Sequence, residues 1–205
     1  MTPAYWTQAT QELAARDTVM QQLIAQFADA SLESRGCAFT TLARSIVGQQ
    51  ISIKAAESIW QKVICAIPDL TPHSIALAEQ ELLRTCGLSA RKVAYLKDLS
   101  QHFREGDLKE TAWQDLDDET IIRQLIQVKG IGRWTAEMFL IFHLHRPDVL
   151  PLDDIGLQRA VSLYYFDKQA VDKNTLIETA KTWQPWRSVA TWYLWRSLDP
   201  LPVAY

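Results

Sequence analysis

Residues 128–134 read Val-Lys-Gly-Ile-Gly-Arg-Trp, and residues 150–154 read Leu-Pro-Leu-Asp-Asp. Apolar residues at helical spacing lie on both sides of the first stretch, so its glycines are expected in a turn between two helices. Glycine permits a tight turn and lets a backbone come close to a ligand. The second stretch places carboxylates at the start of another helix. Together the two stretches indicate a helical protein with an anion-binding hairpin and a candidate acid.

The hairpin has the features of a phosphate-binding turn. The N–H groups at the start of the following helix face outward, where the helix dipole favours an anion. Lys129 and Arg133 add positive charge, and the apolar Ile131 anchors the turn in the core. The carbonyls of Val128 and Gly130 are also suited to a monovalent cation, Na⁺ or K⁺. An ordinary glycine-rich turn without a ligand is the alternative. The predicted phosphate-binding residues are Lys129, Gly130, Ile131, Gly132 and Arg133.

Two adjacent acids, Asp153 and Asp154, follow Pro151 and precede an amphipathic helix. Aspartate is a common N-cap residue, so one of them can serve only to start the helix. Alternatively, one acid caps while the other projects into a cleft. A helix N-terminus keeps a carboxylate ionised, which suits a group that stabilises an oxocarbenium ion. The local sequence leaves the capping role and the functional role equally open.

Helical periodicity runs through the whole chain, and period-two alternation is hard to find. Seven glycines and eight prolines leave little room for the turns of an all-β fold. The pattern predicts helices over 3–15, 17–29, 38–48, 52–66, short segments within 72–85, 90–104, 118–127, 133–144, from 153 or 154 to 165, 172–183 and 185–198. The expected fold class is therefore all-α.

Composition excludes several other classes of protein. Hydrophobic residues make up 48% and charged residues 22%, which are ordinary globular values. No apolar run reaches the roughly 18 residues of a membrane span, and the first residues lack the pattern of a signal peptide, so we expect a cytoplasmic protein. The net charge of −3 argues against nonspecific coating of nucleic acid. The three cysteines are widely spaced and lack metal-ligand spacing.

Four segments together resemble the helix-hairpin-helix DNA glycosylases, most closely the 3-methyladenine DNA glycosylase II branch. The segments are Ser45-Ile46-Val47-Gly48-Gln49-Gln50-Ile51-Ser52, Gly130-Ile131-Gly132-Arg133-Trp134-Thr135-Ala136, the Leu-Pro-Leu-Asp-Asp stretch, and Trp186-Arg187-Ser188 with Trp195. The resemblance covers roughly residues 35–200. It implies one helical domain over 1–205 with an active-site cleft between two lobes. The sequence departs from some relatives, because helical periodicity begins almost at once and we expect their β-rich N-terminal domain to be missing. The expected lobes are roughly 35–115 and 116–170, both termini completing one lobe, with the helix-hairpin-helix motif at about 118–144.

The resemblance also implies roles for individual residues. Asp154 falls on the catalytic aspartate, with Asp153 as a less certain neighbour. Gln50 falls on the residue that fills the gap left by a flipped base, with Gln49 beside it. Three residues fall on the base pocket: Trp134 and Trp195 as aromatic walls, and Met138 at a place where an aromatic residue can occur. Trp60, Trp113, Trp183, Trp186 and Trp192 are expected to serve packing.

Trp134 bears on the type of reaction. Relatives that also cut the sugar–phosphate backbone carry a lysine there, whose amine forms a Schiff base, and tryptophan cannot do this. The resemblance therefore implies a monofunctional hydrolase that flips and removes alkylated purines, such as 3-methyladenine and 7-methylguanine, from double-stranded DNA in base excision repair. We expect a monomer without an iron–sulfur cluster and without a metal in the chemistry, nucleoid-associated if bacterial. The alternatives are a non-catalytic helix-hairpin-helix DNA-binding module and a glycosylase for oxidised or deaminated bases.

Overall fold

The structure is a computed structural model that describes residues 2–33 and 36–198. Every regular element in these ranges is helical, which confirms the all-α fold class. The α-helices are α1 (Trp6–Arg16), α2 (Thr18–Gln26), α3 (Ala38–Gly48), α4 (Ile53–Ala66), α5 (Pro72–Leu77), α6 (Gln80–Thr85), α7 (Ala90–Glu105), α8 (Asp118–Leu125), α9 (Arg133–Phe142), α10 (Ile155–Tyr165), α11 (Lys173–Ala180) and α12 (Arg187–Leu198). Two 3₁₀-helices span Glu110–Asp115 and Lys181–Trp183. The first of these was not expected from the sequence.

Short polar side chains start many of these helices. Each accepts a hydrogen bond from a backbone N–H group in the first turn, which satisfies a donor that has no partner within the helix. The residues that do so are Asp17, Ser52, Thr71, Ser89, Asp117, Asp154 and Asp172. This is why the predicted starts of α4, α7 and α8 agree with the structure to within one residue.

The described chain forms two compact units. The hairpin unit consists of residues 36–139 and holds the helices from α3 to α8 with most of α9. Its core contains an edge-to-face chain of aromatic rings. Phe103 contacts Phe39 at 5.5 Å and Trp113 at 6.3 Å between ring centroids, and Trp113 contacts Phe139 at 5.3 Å. Trp113 is fully buried, so these ring contacts connect the 3₁₀-helix Glu110–Asp115 to Phe139, the last residue of the unit.

The aspartate unit consists of residues 2–33 and 140–198. Trp6 packs edge-on against Trp192, with ring centroids 5.2 Å apart. Asp17 accepts hydrogen bonds from the Tyr165 hydroxyl at 2.8 Å and from the Trp183 indole at 3.1 Å. These contacts join the N-terminal helices to the C-terminal ones. The two ends of the described chain therefore belong to one unit, as expected.

The boundary between the units falls after residue 139, whereas the sequence placed it near 115. The expected lobe 116–170 is therefore wrong at its start. The reason is that the helix-hairpin-helix segment packs on preceding helices: Phe139 contacts Trp113, and Gly130 and Lys129 are bonded to residues of the same unit. Residues 1, 34, 35 and 199–205, which the expected domain included, lie outside the described residues.

The tryptophans assigned to packing are buried, which confirms that expectation. The exposed fraction is at most 8% for Trp60, Trp113, Trp183, Trp186 and Trp192. Among the described helices, none is both long and apolar enough to cross a membrane.

Candidate functional site

Asp154 is the N-cap residue of α10, and its side chain is held by two donors. Oδ1 accepts the Leu157 N–H at 2.6 Å and the Trp195 indole N–H at 2.7 Å. Only 8% of the residue is exposed. Two N–H donors and a helix N-terminus all favour negative charge at this position. The arrangement therefore presents a fixed carboxylate in a nearly dry environment.

Trp195, expected to be a wall of the base pocket, lies beside Asp154 in the aspartate unit. Its ring stacks on Phe142, with centroids 5.7 Å apart and planes 12° apart, and 7% of the residue is exposed. Its N–H group is used by Asp154. The structure thus makes Trp195 a support for the carboxylate, and contact with a base stays a prediction.

Gly156 leaves room for this pair, a role that sequence reasoning missed. A Cβ atom there would lie 3.1 Å from Asp154 Oδ1 and 3.2 Å from Trp195 Cδ1, closer than ordinary contact. The available signal was a glycine in the first turn of a helix, where glycine is unfavourable by roughly 0.5–1 kcal/mol relative to alanine. The cost is explained by the space that the indole and the carboxylate need.

Asp153 is separate from this arrangement. Its side chain is 61% exposed and forms an ion pair with Lys173 at the start of α11. Asp154 is therefore the acid that caps the helix, and which of the two acids faces a cleft stays a prediction. Asp154 is both the cap and the candidate catalytic group.

The predicted hairpin is present between α8 and α9. Ile131 is 4% exposed and donates its N–H to the Val128 carbonyl at 3.0 Å, which confirms it as the anchor of the turn. Gly130 has a φ of +85°, and a Cβ atom there would lie 2.2 Å from the Tyr95 ring. Gly130 is thus required by the protein's own packing. Gly132 differs, because a Cβ atom there would meet nothing within 4 Å, so its surface is open to a ligand.

The two cations of the hairpin are already paired. Asp98 accepts two hydrogen bonds from Lys129, one from the backbone N–H at 2.8 Å and one from the side-chain ammonium at 2.9 Å. Burial raises the pKa of the Asp98 carboxyl, but these bonds outweigh it and hold the pKa below its usual value. Arg133 bonds Glu137 at 3.0 Å and Glu119 at 3.0 Å, linking α9 to α8. Lys129 and Arg133 thus carry positive charge at the hairpin but are paired with acids of the same unit, and their binding of phosphate stays a prediction.

The plug loop, residues 49–51, connects α3 to α4. Gln50 is exposed and has a φ of +59°, a left-handed conformation that is uncommon for a residue with a side chain. The Gln49 amide donates instead to the Gly130 carbonyl at 2.8 Å. Gln50 is thus exposed on this loop, whereas Gln49 is bound to the hairpin, and insertion of either residue into DNA stays a prediction.

Lys92, near the start of α7, contacts the end of α3. Its ammonium donates to the carbonyls of Val47 and Gln49 at 2.7 and 2.8 Å, at the C-terminal end of α3. A cation is favoured there by the helix dipole. Burial and the neighbouring Arg91 lower the pKa of Lys92. Lys92 is a C-terminal cap of α3.

Trp134 and Met138 lie four residues apart on α9 and therefore on one face of that helix. Trp134 is half-buried and Met138 is 3% exposed. The carbonyls of Val128 and Gly130, expected to suit a cation, each accept one hydrogen bond. A carbonyl oxygen has two lone pairs, so these bonds are compatible with a cation, which stays a prediction.

A family model described as "HhH-GPD superfamily base excision DNA repair protein" matches residues 43–187. This range contains the plug loop, the hairpin and Asp154. The chain belongs to the HhH-GPD superfamily. The four segments that suggested this family from the sequence thus led to the correct assignment.

Relatives within the HhH-GPD superfamily support the assignment over most of the chain. The chain is 35% identical over 164 residues to DNA-3-methyladenine glycosylase 1 of Schizosaccharomyces pombe, covering 78% of this chain and 72% of that protein. The matched segment covers a smaller share of two longer relatives: 66% of the length of one from Saccharomyces cerevisiae and 59% of the length of one from Bacillus subtilis.

Solved structures agree with the fold. A DNA-3-methyladenine glycosidase from Bacillus halodurans is 36% identical, with a TM-score of 0.82 over 92% of this chain and 88% of that one. The S. pombe 3-methyladenine DNA glycosylase in complex with abasic DNA is 30% identical, with a TM-score of 0.79 over 93% of this chain and 96% of that one.

Proposed function

We propose that this protein is a monofunctional DNA glycosylase that removes alkylated purines, such as 3-methyladenine and 7-methylguanine, from double-stranded DNA. The observation that carries the proposal is Asp154, a nearly buried carboxylate held by the N–H groups of Leu157 and Trp195. A module that only binds DNA would need Asp154 as a helix cap but would not need a negative charge there. The names of the fission yeast and Bacillus relatives support the same class of substrate.

Asp154 acts on charge that develops on the sugar. Alkylation at N3 or N7 puts positive charge on the purine and weakens its bond to C1′. As that bond breaks, its electron pair goes to the base, which leaves neutral, and positive charge passes to the sugar. A fixed carboxylate stabilises this charge without reorganisation. Water then adds its oxygen to C1′ and releases a proton, which leaves an abasic site.

The base must leave the stack before this chemistry. Extrusion costs a few kcal/mol, and less for a damaged base. Gln50, exposed on the plug loop, is suited to fill the gap. Trp134, half-buried on α9, is suited to stack on the cationic base, since a cation–π contact is worth about 0.5–2 kcal/mol.

Trp134 also determines what the enzyme does after excision. An indole cannot form a Schiff base with the sugar, so the product is an intact strand with an abasic site. A trapping experiment with borohydride should therefore yield no covalent protein–DNA adduct. An adduct in good yield would mean that a different amine attacks the sugar.

The hairpin binds the DNA backbone chiefly through N–H groups near Gly132, because Lys129 and Arg133 are paired within the protein. We propose that a monovalent cation at the carbonyls of Val128 and Gly130 assists this binding. We also propose that the chemistry uses no metal and that no iron–sulfur cluster is present. We further propose that the protein acts as a monomer, in the cytoplasm of its cell and on the nucleoid if bacterial.

The test is release of base from duplex DNA that has been treated with a methylating agent. The wild type should release 3-methyladenine, and the Asp154→Asn variant should release it at least about 100-fold more slowly. Equal rates of base release by the two proteins would show that Asp154 has no part in the mechanism. A panel of duplexes with single lesions extends the test: release of oxidised or deaminated bases, with none of the alkylated ones, would contradict the proposed specificity.

A further inference from the structure

The plug loop and the hairpin are joined directly, although 81 residues separate them in the chain. The Gln49 side-chain amide donates to the Gly130 carbonyl at 2.8 Å. Gly130 is itself fixed, since the Tyr95 ring lies where its Cβ would be. The hairpin end of this bond therefore has little freedom to move alone.

The other end of the bond is fixed as well. Lys92 holds the carbonyls of Val47 and Gln49, at the point where the chain leaves α3. The next residue, Gln50, has the left-handed φ of +59° and bonds Arg91 through its Oε1 at 3.4 Å. Such a conformation persists only where surrounding contacts impose it, and it is typical of functional loops. The loop is therefore held with Gln50 outward before any DNA is bound.

We propose that the hydrogen bond from Gln49 to Gly130 makes the plug loop and the hairpin a single rigid element, so that phosphate binding at the hairpin aligns Gln50 for insertion into the duplex. Gln49 is thus a positioning residue, distinct from the inserting residue beside it. This inference rests on the proposed function. It differs from the expectation that Gln49 itself enters the DNA, because its amide group already has a partner inside the protein.

The test compares Gln49→Met with the wild type. Methionine keeps the length of the side chain and adds no charge, but it cannot donate to the carbonyl. Gln61→Met is the matched control, because Gln61 is an exposed glutamine of the same unit whose side-chain amide donates to Glu57, one turn earlier on α4. Gln50→Ala removes the inserting side chain and serves as a reference.

Three quantities are measured: affinity for an undamaged duplex, the single-turnover rate of base release, and fluorescence of 2-aminopurine placed beside a tetrahydrofuran abasic-site analogue. The fluorescence rises when insertion unstacks the neighbouring base. One hydrogen bond between uncharged groups corresponds to about a two- to tenfold change in an equilibrium. Gln49→Met should lower base release and the fluorescence rise by this factor, with affinity for undamaged DNA and the melting temperature unchanged.

Two results would overturn the inference. One is a Gln49→Met variant that matches the wild type and Gln61→Met in fluorescence and base release. The other is a parallel loss of affinity for undamaged DNA, which would mean that Gln49 serves only the hairpin or contacts DNA itself. Failure of the proposed function is distinguishable, because the wild type would then release no base, while the fluorescence of the abasic duplex would still report insertion.

Discussion

Asp154 has two tasks in this structure, and two substitutions separate them. Asparagine retains a side-chain oxygen that can accept the N–H groups of Leu157 and Trp195, and it is as good an N-cap as aspartate. Alanine removes both bonds. Asp154→Asn should therefore lose the charge and keep the fold, whereas Asp154→Ala should lose both.

The expected magnitudes follow from the two bonds. Loss of an N-cap costs about 1 kcal/mol, and loss of a hydrogen bond to a charged group costs about 1.5–3 kcal/mol. Asp154→Ala should thus lower the free energy of unfolding by about 2.5–4 kcal/mol. For a protein of this size, each kcal/mol lowers the melting temperature by about 2–4 °C, so a decrease of roughly 5–15 °C is expected. Asp154→Asn should remain within about 3 °C of the wild type.

Differential scanning calorimetry and single-turnover base release measure the two effects on the same samples. Asp153→Asn is the matched control, because this exposed acid pairs only at the surface, where an ion pair contributes about 1 kcal/mol or less. It should leave both the melting temperature and base release unchanged. Two results would contradict these roles of Asp154: a wild-type melting temperature for Asp154→Ala, or a loss of stability in Asp154→Asn as large as in Asp154→Ala.

Three glycine substitutions provide further tests. Gly130→Ala places a Cβ 2.2 Å from the Tyr95 ring at a φ of +85°, so urea denaturation should show a loss of at least about 3 kcal/mol; wild-type stability would contradict the packing. Gly132→Ala meets nothing within 4 Å, so it should fold normally but bind duplex DNA about tenfold more weakly; an unchanged Kd would place phosphate elsewhere. Gly156→Ala places a Cβ atom 3.1 Å from Asp154 Oδ1, so base release should fall about tenfold or more while affinity for undamaged DNA stays the same. An unchanged rate of base release would show that the carboxylate tolerates displacement.

Local patterns in the sequence determined the helices and the hairpin. Periodic apolar residues predicted α3, α7 and α8 closely, and Ile131 between two glycines predicted the anchored turn. Helix formation, capping and turn geometry depend on residues within a few positions of one another, so they can be derived from neighbours in the chain. The position of a carboxylate at the start of α10 was predicted on the same basis.

Only the tertiary structure decided which acid is held and by what. Trp195 lies 41 residues from Asp154, Asp98 lies 31 residues from Lys129, and Gln49 lies 81 residues from Gly130. Each of these bonds forms because packing brings distant helices together, and side-chain hydrogen bonds need donors and acceptors within about 3 Å in a suitable orientation. Spacing along the chain contains no information on such distances, so the resemblance could single out Asp154, but only the structure showed that α12 places an indole N–H beside it.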